Sequence, residues 1–80
     1  MENFKVIIVE DVPLELKGTE GIFHTDIPEA EIIGTADSET LYWKLITKQL
    51  PDLVLLDLGL GGSTTVGVEI CRQTKEKYPN

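Results

Sequence analysis

Two short apolar runs, each broken by acidic residues, constrain this chain more than any other feature. Lys5–Val9 (KVIIV) is apolar at consecutive positions and is followed at once by Glu10 and Asp11. Leu53–Leu58 (LVLLDL) repeats the pattern, is entered through Pro51-Asp52, and carries Asp57 near its end. A strand with water on one face alternates apolar and polar residues. One covered on both faces does not, and that is how strands of a parallel sheet read. Between the two, Glu31–Thr35 (EIIGT) reads as a shorter, more polar strand suited to an edge.

The intervening segments carry helical spacing. From Pro13 to His24, Leu16, Thr19 and Phe23 fall at i, i+3 and i+7, with Val12 a turn earlier. Gly18 and Gly21 weaken this helix by roughly 1 kcal/mol each relative to alanine. Ser38 is placed to cap a second helix running to about Gln49, with Leu41, Tyr42, Leu45 and Ile46 as its apolar stripe and Pro51 beyond its end. A third helix is expected from Gly67 to Tyr78, with Val68, Cys71 and Tyr78 on one face and Pro79 as its stop.

Strands alternating with helices imply βαβ units, a parallel sheet and right-handed crossovers. The two most apolar strands, first and third, should be neighbours, with the second outside the first. This α/β order, 2-1-3, reverses the winding between strands one and three. It thereby opens a crevice at their carboxyl ends, where open α/β sheets bind ligands.

Size and charge narrow the possibilities further. Eighty residues allow one domain, and a chain this short buries only about 60% of the surface its unfolded form exposes. Cys71 is the only cysteine, so no internal disulfide or multi-cysteine zinc site can form, which fits a reducing cytoplasm. With 41% hydrophobic and 26% charged residues, disorder is not expected. Fourteen acids against seven bases give a net charge of −7, which argues against a nucleic-acid surface. No apolar run approaches the roughly 20 residues of a membrane span, and the N-terminus lacks the features of a signal peptide.

The crevice residues are acidic: Glu10 and Asp11 from the first strand, Asp57 from the third. Three carboxylates converging there would repel one another unless a cation lay among them, and an all-oxygen donor set suits Mg²⁺. Acids also end strands simply because they are poor strand formers, and for Glu10–Asp11 taken alone both readings stand. Asp57 is harder to explain that way, since four apolar residues precede it and Leu58 follows. A carboxylate so placed can act as a nucleophile toward phosphorus, giving an aspartyl phosphate. Gly59, Gly61 and Gly62 then suit a loop wrapped around an ion or phosphate, or merely a flexible one. Neither a dinucleotide fingerprint nor a P-loop motif is present. His24 reads as a charge partner for a helix C-terminus, Cys71 as a small buried apolar residue, and Tyr42 and Trp43 as packing residues, one of them exposed. Glu29 and Glu31 read as a solvated edge.

VIIVED, PDLVLLDLGLGG and a downstream Gly67-Val68-Glu69 together resemble the receiver domain of two-component response regulators. AEIIGTAD and RQTKEKYP look like the subgroup with a LuxR-type DNA-binding output domain. The resemblance spans essentially the whole chain and implies a flavodoxin-like, doubly wound parallel sheet. It also implies that Asp57 is the phosphoacceptor and that Glu10 and Asp11 serve a Mg²⁺ site, Asp11 directly and Glu10 often through water. Gly59 would lend its backbone carbonyl to the metal. The implied donor is a phosphohistidine on a sensor histidine kinase, or a small phosphodonor such as acetyl phosphate.

The chain departs from the family pattern in two places. Gly61 stands where the family usually has proline, and the Ser63–Val66 segment before Gly67 is longer than expected, which puts the start of the third helix in doubt. The family also builds five βα units and this sequence supplies three. Residues 1–80 are therefore expected to be the N-terminal part of a receiver, C-terminally truncated, without the later Ser/Thr and Lys that contact the phosphoryl group. An exposed third strand would then pair with other chains, so self-association is expected.

Three functions remain open at this level. One is a signalling receiver, at most capable of Mg²⁺-dependent self-phosphorylation. Another is a phosphorylation-incompetent interaction or assembly module. The third is a Mg²⁺-dependent phosphohydrolase, which would normally want a second acid where Gly59 stands.

Overall fold

A computed structural model of the protein describes residues 3–57 and 65–79. Strand β1 (Phe4–Val9) forms the middle of a three-stranded parallel sheet of order β2-β1-β3. Helix α1 (Pro13–Asp26) leads to β2 (Ala30–Ala36), helix α2 (Glu39–Lys48) to β3 (Leu53–Leu56), and helix α3 (Val66–Lys77) follows. This is an incomplete flavodoxin-like α/β fold, with β2 at the edge expected of its more polar sequence. Leu58, the last residue of the third apolar run, lies outside the described residues.

The consecutive apolar residues of β1 serve both sides of the sheet. Val6 and Ile8 pack with Phe23 and Leu16 of α1, whereas Ile7 and Val9 join Tyr42 and Ile46 of α2 and Ile70 of α3. All four β1 side chains are at most 1% exposed. Each such burial is worth about 1.5–3 kcal/mol, so this strand is the main anchor of a small core.

The pairing of β1 with β2 shifts register between Val6 and Ile7, skipping Ile33. The irregularity brings Gly34 opposite Ile7 and under α2, where an added Cβ would lie 3.0 Å from the Leu45 side chain. Glycine here lets helix and sheet approach closely. At its other end the sheet is pinned by Asp52, whose side chain accepts the Lys5 N–H at 2.8 Å while its own N–H donates to the Lys5 carbonyl.

The helices bear out most of the periodicity. Ser38 caps α2 by accepting the Leu41 N–H, and Tyr42 and Ile46 are buried beneath it. Trp43 is half-buried rather than exposed; its indole N–H donates to Glu39, and the Lys77 ammonium lies 4.9 Å from its ring centroid. Helix α3 corrects the expected face. Cys71 is exposed and Val68 is 56% exposed, while Ile70 is fully buried. Thr74, one turn after Ile70, donates to the Ile70 carbonyl and meets the Tyr42 hydroxyl at 2.8 Å. Satisfying that hydroxyl lets a threonine sit toward the core beside Ile70, on the face opposite the exposed Val68. Ile70→Ala should therefore destabilise the protein by about 2–5 kcal/mol in urea unfolding. Val68→Ala should cost well under about 1 kcal/mol; equal losses would restore the Val68 face.

Candidate functional site

Strand parity aims the acids before any side-chain interaction is considered. β1 and β3 pair in register from Val6↔Leu53 to Val9↔Leu56, so Glu10 and Asp57 emerge side by side. The Asp57 N–H donates to the Val9 carbonyl at 3.0 Å and the Glu10 N–H to the Ala36 carbonyl at 2.9 Å. Both backbones are thus tied into the sheet, one residue past its strands. Glu10 continues the Val6–Ile8 parity and Asp57 the Leu53–Leu55 parity, so both fall on the α1 side. Asp11 follows in the connection to α1.

The structure brings Glu10, Asp11 and Asp57 together: one carboxylate oxygen from each lies within 4.8 Å of the others. Asp11 and Asp57 are half-buried, and Glu10 is only 7% exposed. Its Oε1 is buried without a hydrogen-bond partner among the described residues. Glu10 and Asp57 also line an open groove of about 480 Å³ with Glu15 and the apolar Ile8, Ile22 and Leu55.

Crowding raises the Glu10 pKa from 4.5 to about 8. Its contact with the Glu15 carboxyl is the largest cause, followed by burial and then by the hydrogen bond to and charge of Asp57. Such a contact between carboxyl groups is a hydrogen bond only while one of them keeps its proton. Without a cation, Glu10 therefore holds that proton at neutral pH. The site fits Mg²⁺ on two counts: its donors are all oxygens, and Glu10 offers a buried oxygen that no other described residue satisfies. The 4.8 Å spread compares with about 4 Å between opposite oxygens of a Mg²⁺ octahedron, given metal–oxygen distances of about 2.0–2.1 Å. Gly59, expected to add a carbonyl, lies outside the described residues, as do Gly61 and Gly62.

The remaining candidates stand apart from this cluster. His24 occupies the last turn of α1, as expected of a helix-end charge partner. Cys71 is exposed on α3. Glu31 is exposed and Glu29 half-buried at the sheet edge. Sequence reading did not single out Glu15, which reaches the groove from the first turn of α1. An acid four residues after Asp11, just inside a helix opened by Pro13, was the available signal.

Two curated proteins show similarity to the chain. Protein-glutamate methylesterase/protein-glutamine glutaminase 1 of Syntrophus aciditrophicus is 33% identical over 75 residues, 94% of this chain and 21% of the relative. Protein-glutamate methylesterase/protein-glutamine glutaminase 2 of Oleidesulfovibrio alaskensis is 31% identical over 77 residues, 96% of this chain and again 21% of the relative. The chain thus spans about a fifth of the length of these relatives. No family profile and no solved structure matches it. Similarity confined to one fifth of a longer protein marks a shared module. It supports a receiver domain and does not extend to a LuxR-type subgroup. Among the described residues, no helix is long and apolar enough to cross a membrane.

The raised Glu10 pKa has a thermodynamic consequence. Above pH 4.5 the unfolded chain releases a proton that the folded protein keeps until about pH 8. The folded state then binds more protons, so the cation-free protein should lose stability as pH rises through this window. Glu69, held down to about 2 chiefly by Arg72, then by Gln73, acts below the window. Urea midpoints measured in a chelator between pH 5 and 8 should decline in the wild type and flatten in Glu10→Gln. A wild-type midpoint that climbs with pH would contradict this electrostatic picture.

Proposed function

We propose that the protein is a two-component signalling receiver that accepts a phosphoryl group on Asp57 with Mg²⁺ as cofactor. The observation that carries this reading is the convergence of Glu10, Asp11 and Asp57, with a buried Glu10 oxygen that has no partner among the described residues. In the transfer, an Asp57 carboxylate oxygen attacks phosphorus and the bond from phosphorus to the donor breaks. With a phosphohistidine of a sensor histidine kinase the leaving group is the imidazole nitrogen; with acetyl phosphate it is acetate. Asp57 needs no general base, because its carboxylate is already the nucleophile. Glu10, Asp11 and Asp57, with the Gly59 carbonyl, would hold Mg²⁺, which when bound offsets the negative charge of the phosphoryl oxygens. The sheet fixes the Asp57 backbone through Val9, so the nucleophile is positioned before the donor arrives. The setting proposed is the cytoplasm, with no direct contact to nucleic acid by these residues.

The finer assignment, a LuxR-type DNA-binding output controlling transcription, rests on the AEIIGTAD and RQTKEKYP segments alone. The similar proteins carry methylesterase and glutaminase names instead, so the module is proposed to serve outputs of more than one kind.

Acetyl phosphate with Mg²⁺ should add one phosphoryl group to the protein by intact mass, and none to Asp57→Asn. A wild type that stays unmodified, or a variant modified equally, overturns the phosphoacceptor assignment.

The second reading, an assembly module, is favoured by one feature of the sheet. β3 pairs only with β1 among the described strands, and its Leu53 and Leu55 are 43% and 42% exposed. An open, apolar strand edge pairs readily with another chain. Light scattering after size exclusion should show a concentration-dependent rise above the monomer mass, and Leu55→Lys should suppress it. A monomer at every concentration rules out self-association.

A further inference from the structure

Charge is divided between two apolar surfaces of this molecule. The groove of about 480 Å³ between α1 and β3 has Ile8, Ile22 and Leu55 among its walls, with Ile22 and Leu55 exposed. Glu10, Glu15 and Asp57 also line it, and no Lys or Arg does among the described residues. Gly18 leaves it further room, since a Cβ built there meets nothing within 4 Å. Exposed apolar surface rimmed by polar groups marks a site of interaction.

The outer side of α2 has the opposite sign. Leu41, Lys44, Leu45 and Lys48 fall at i, i+3, i+4 and i+7 and so form one stripe. Trp43 and Thr47 border it, and no acid lines that surface among the described residues. The ion pairs of the described residues belong to Arg72, with Glu69 and Glu76, so neither Lys44 nor Lys48 is engaged in one. Lys48, in the last turn, answers the negative end of the helix. Lys44 stands a turn earlier, outside the reach of that effect.

A chain of net charge −7 thus carries a purely basic apolar ridge on one helix and a purely acidic apolar groove beside another. We propose that the α2 stripe of one copy docks in the α1–β3 groove of a second copy, joining copies head to tail. The inference rests on the assembly reading above and names the surfaces that meet. A helix laid in a groove presents its i, i+3, i+4 and i+7 side chains to it. Leu41 and Leu45 then cover Ile22 and Leu55, and Lys44 and Lys48 bring the positive charge that the lining of the groove lacks. The contact is heterologous: each pair leaves one ridge and one groove unused, so assembly continues past two copies.

Sedimentation velocity in a chelator at low salt, with no divalent cation on the acids, tests the contact. The wild type should gain mass with concentration, pass the dimer, and lose association in about 1 M salt, where charges act over only about 3 Å. Lys44→Glu combined with Lys48→Glu should associate about tenfold more weakly or worse, because like charges then face each other. Gly18→Arg should do the same by filling the groove. It places a better helix former in open space, so the fold is kept. Mixed in equal amounts, the two variants each supply the surface that the other has lost, and they should form a one-to-one pair. If the lysine variant associates as tightly as the wild type, the inference falls while pairing along β3 stands. If both variants are monomers and their mixture is too, the head-to-tail contact is overturned. A wild type that stays a monomer at every concentration overturns the assembly reading and the inference together.

Discussion

A carboxyl group buried at the end of the central strand is the constraint around which the molecule is organised. β1 is covered on both faces, and its apolar residues fix the chain so firmly that the residue after them has little freedom to reach water. That residue is Glu10, 7% exposed and crowded by Glu15 and Asp57. Burying an ionised carboxylate without a partner costs several kcal/mol. No Lys or Arg among the described residues lines the groove, so a proton or a cation answers that charge there. The fold therefore couples its own integrity to whatever occupies the site, and a divalent cation meets the demand without neutralising the acids chemically.

The parts of this arrangement legible in the sequence are those set by local pattern. KVIIV and LVLL announced strands of a parallel sheet, and in β1 the apolar run is buried on both faces as expected. In β3 the same pattern misleads, because one face carries the exposed Leu53 and Leu55 and only Val54 and Leu56 are partly covered. The convergence of Glu10, Asp11 and Asp57 followed from strand order alone, since parallel neighbours end at the same edge of a sheet. Ser38 was readable as a cap because its hydroxyl serves a backbone group three residues away.

Tertiary choices were less legible. On α3 the sequence offers two apolar stripes, one through Val68 and Cys71 and one through Ile70. At 3.6 residues per turn, Val68 and Ile70 point roughly 200° apart, so only one can face the sheet. The buried face is the one that carries Ile70, and Thr74 is accommodated on it because its hydroxyl donates to the Ile70 carbonyl and meets the Tyr42 hydroxyl. Glu15 was hidden for a similar reason. Its meeting with Glu10 depends on how α1 lies across β1 and β3, and sequence spacing on one helix does not specify that. Gly34 belongs with these, since its role exists only where Leu45 of α2 comes down on the sheet.

The two faces of the sheet are unequally covered, and the site lies where that inequality matters. α2 and α3 close one face over Ile7, Val9 and Ile70, leaving Val54 and Leu56 packed against them. On the other face α1 covers Val6 and Ile8, but Leu53 and Leu55 remain open. Strand parity places Asp57 on that open side, at the end of the Leu53–Leu55 row. In the proposed role Asp57 has to be reachable by a phosphorylated group on a second protein, yet its neighbours must be dry enough for their charges to act strongly. The geometry satisfies both demands by dividing them: Glu10, on the central strand, is the buried acid, and Asp57, on the open neighbour, is the half-exposed one. Exchanging their strands would bury the proposed nucleophile and hydrate the acid beside it, so the 2-1-3 strand order bears on the proposed chemistry as well as on the packing.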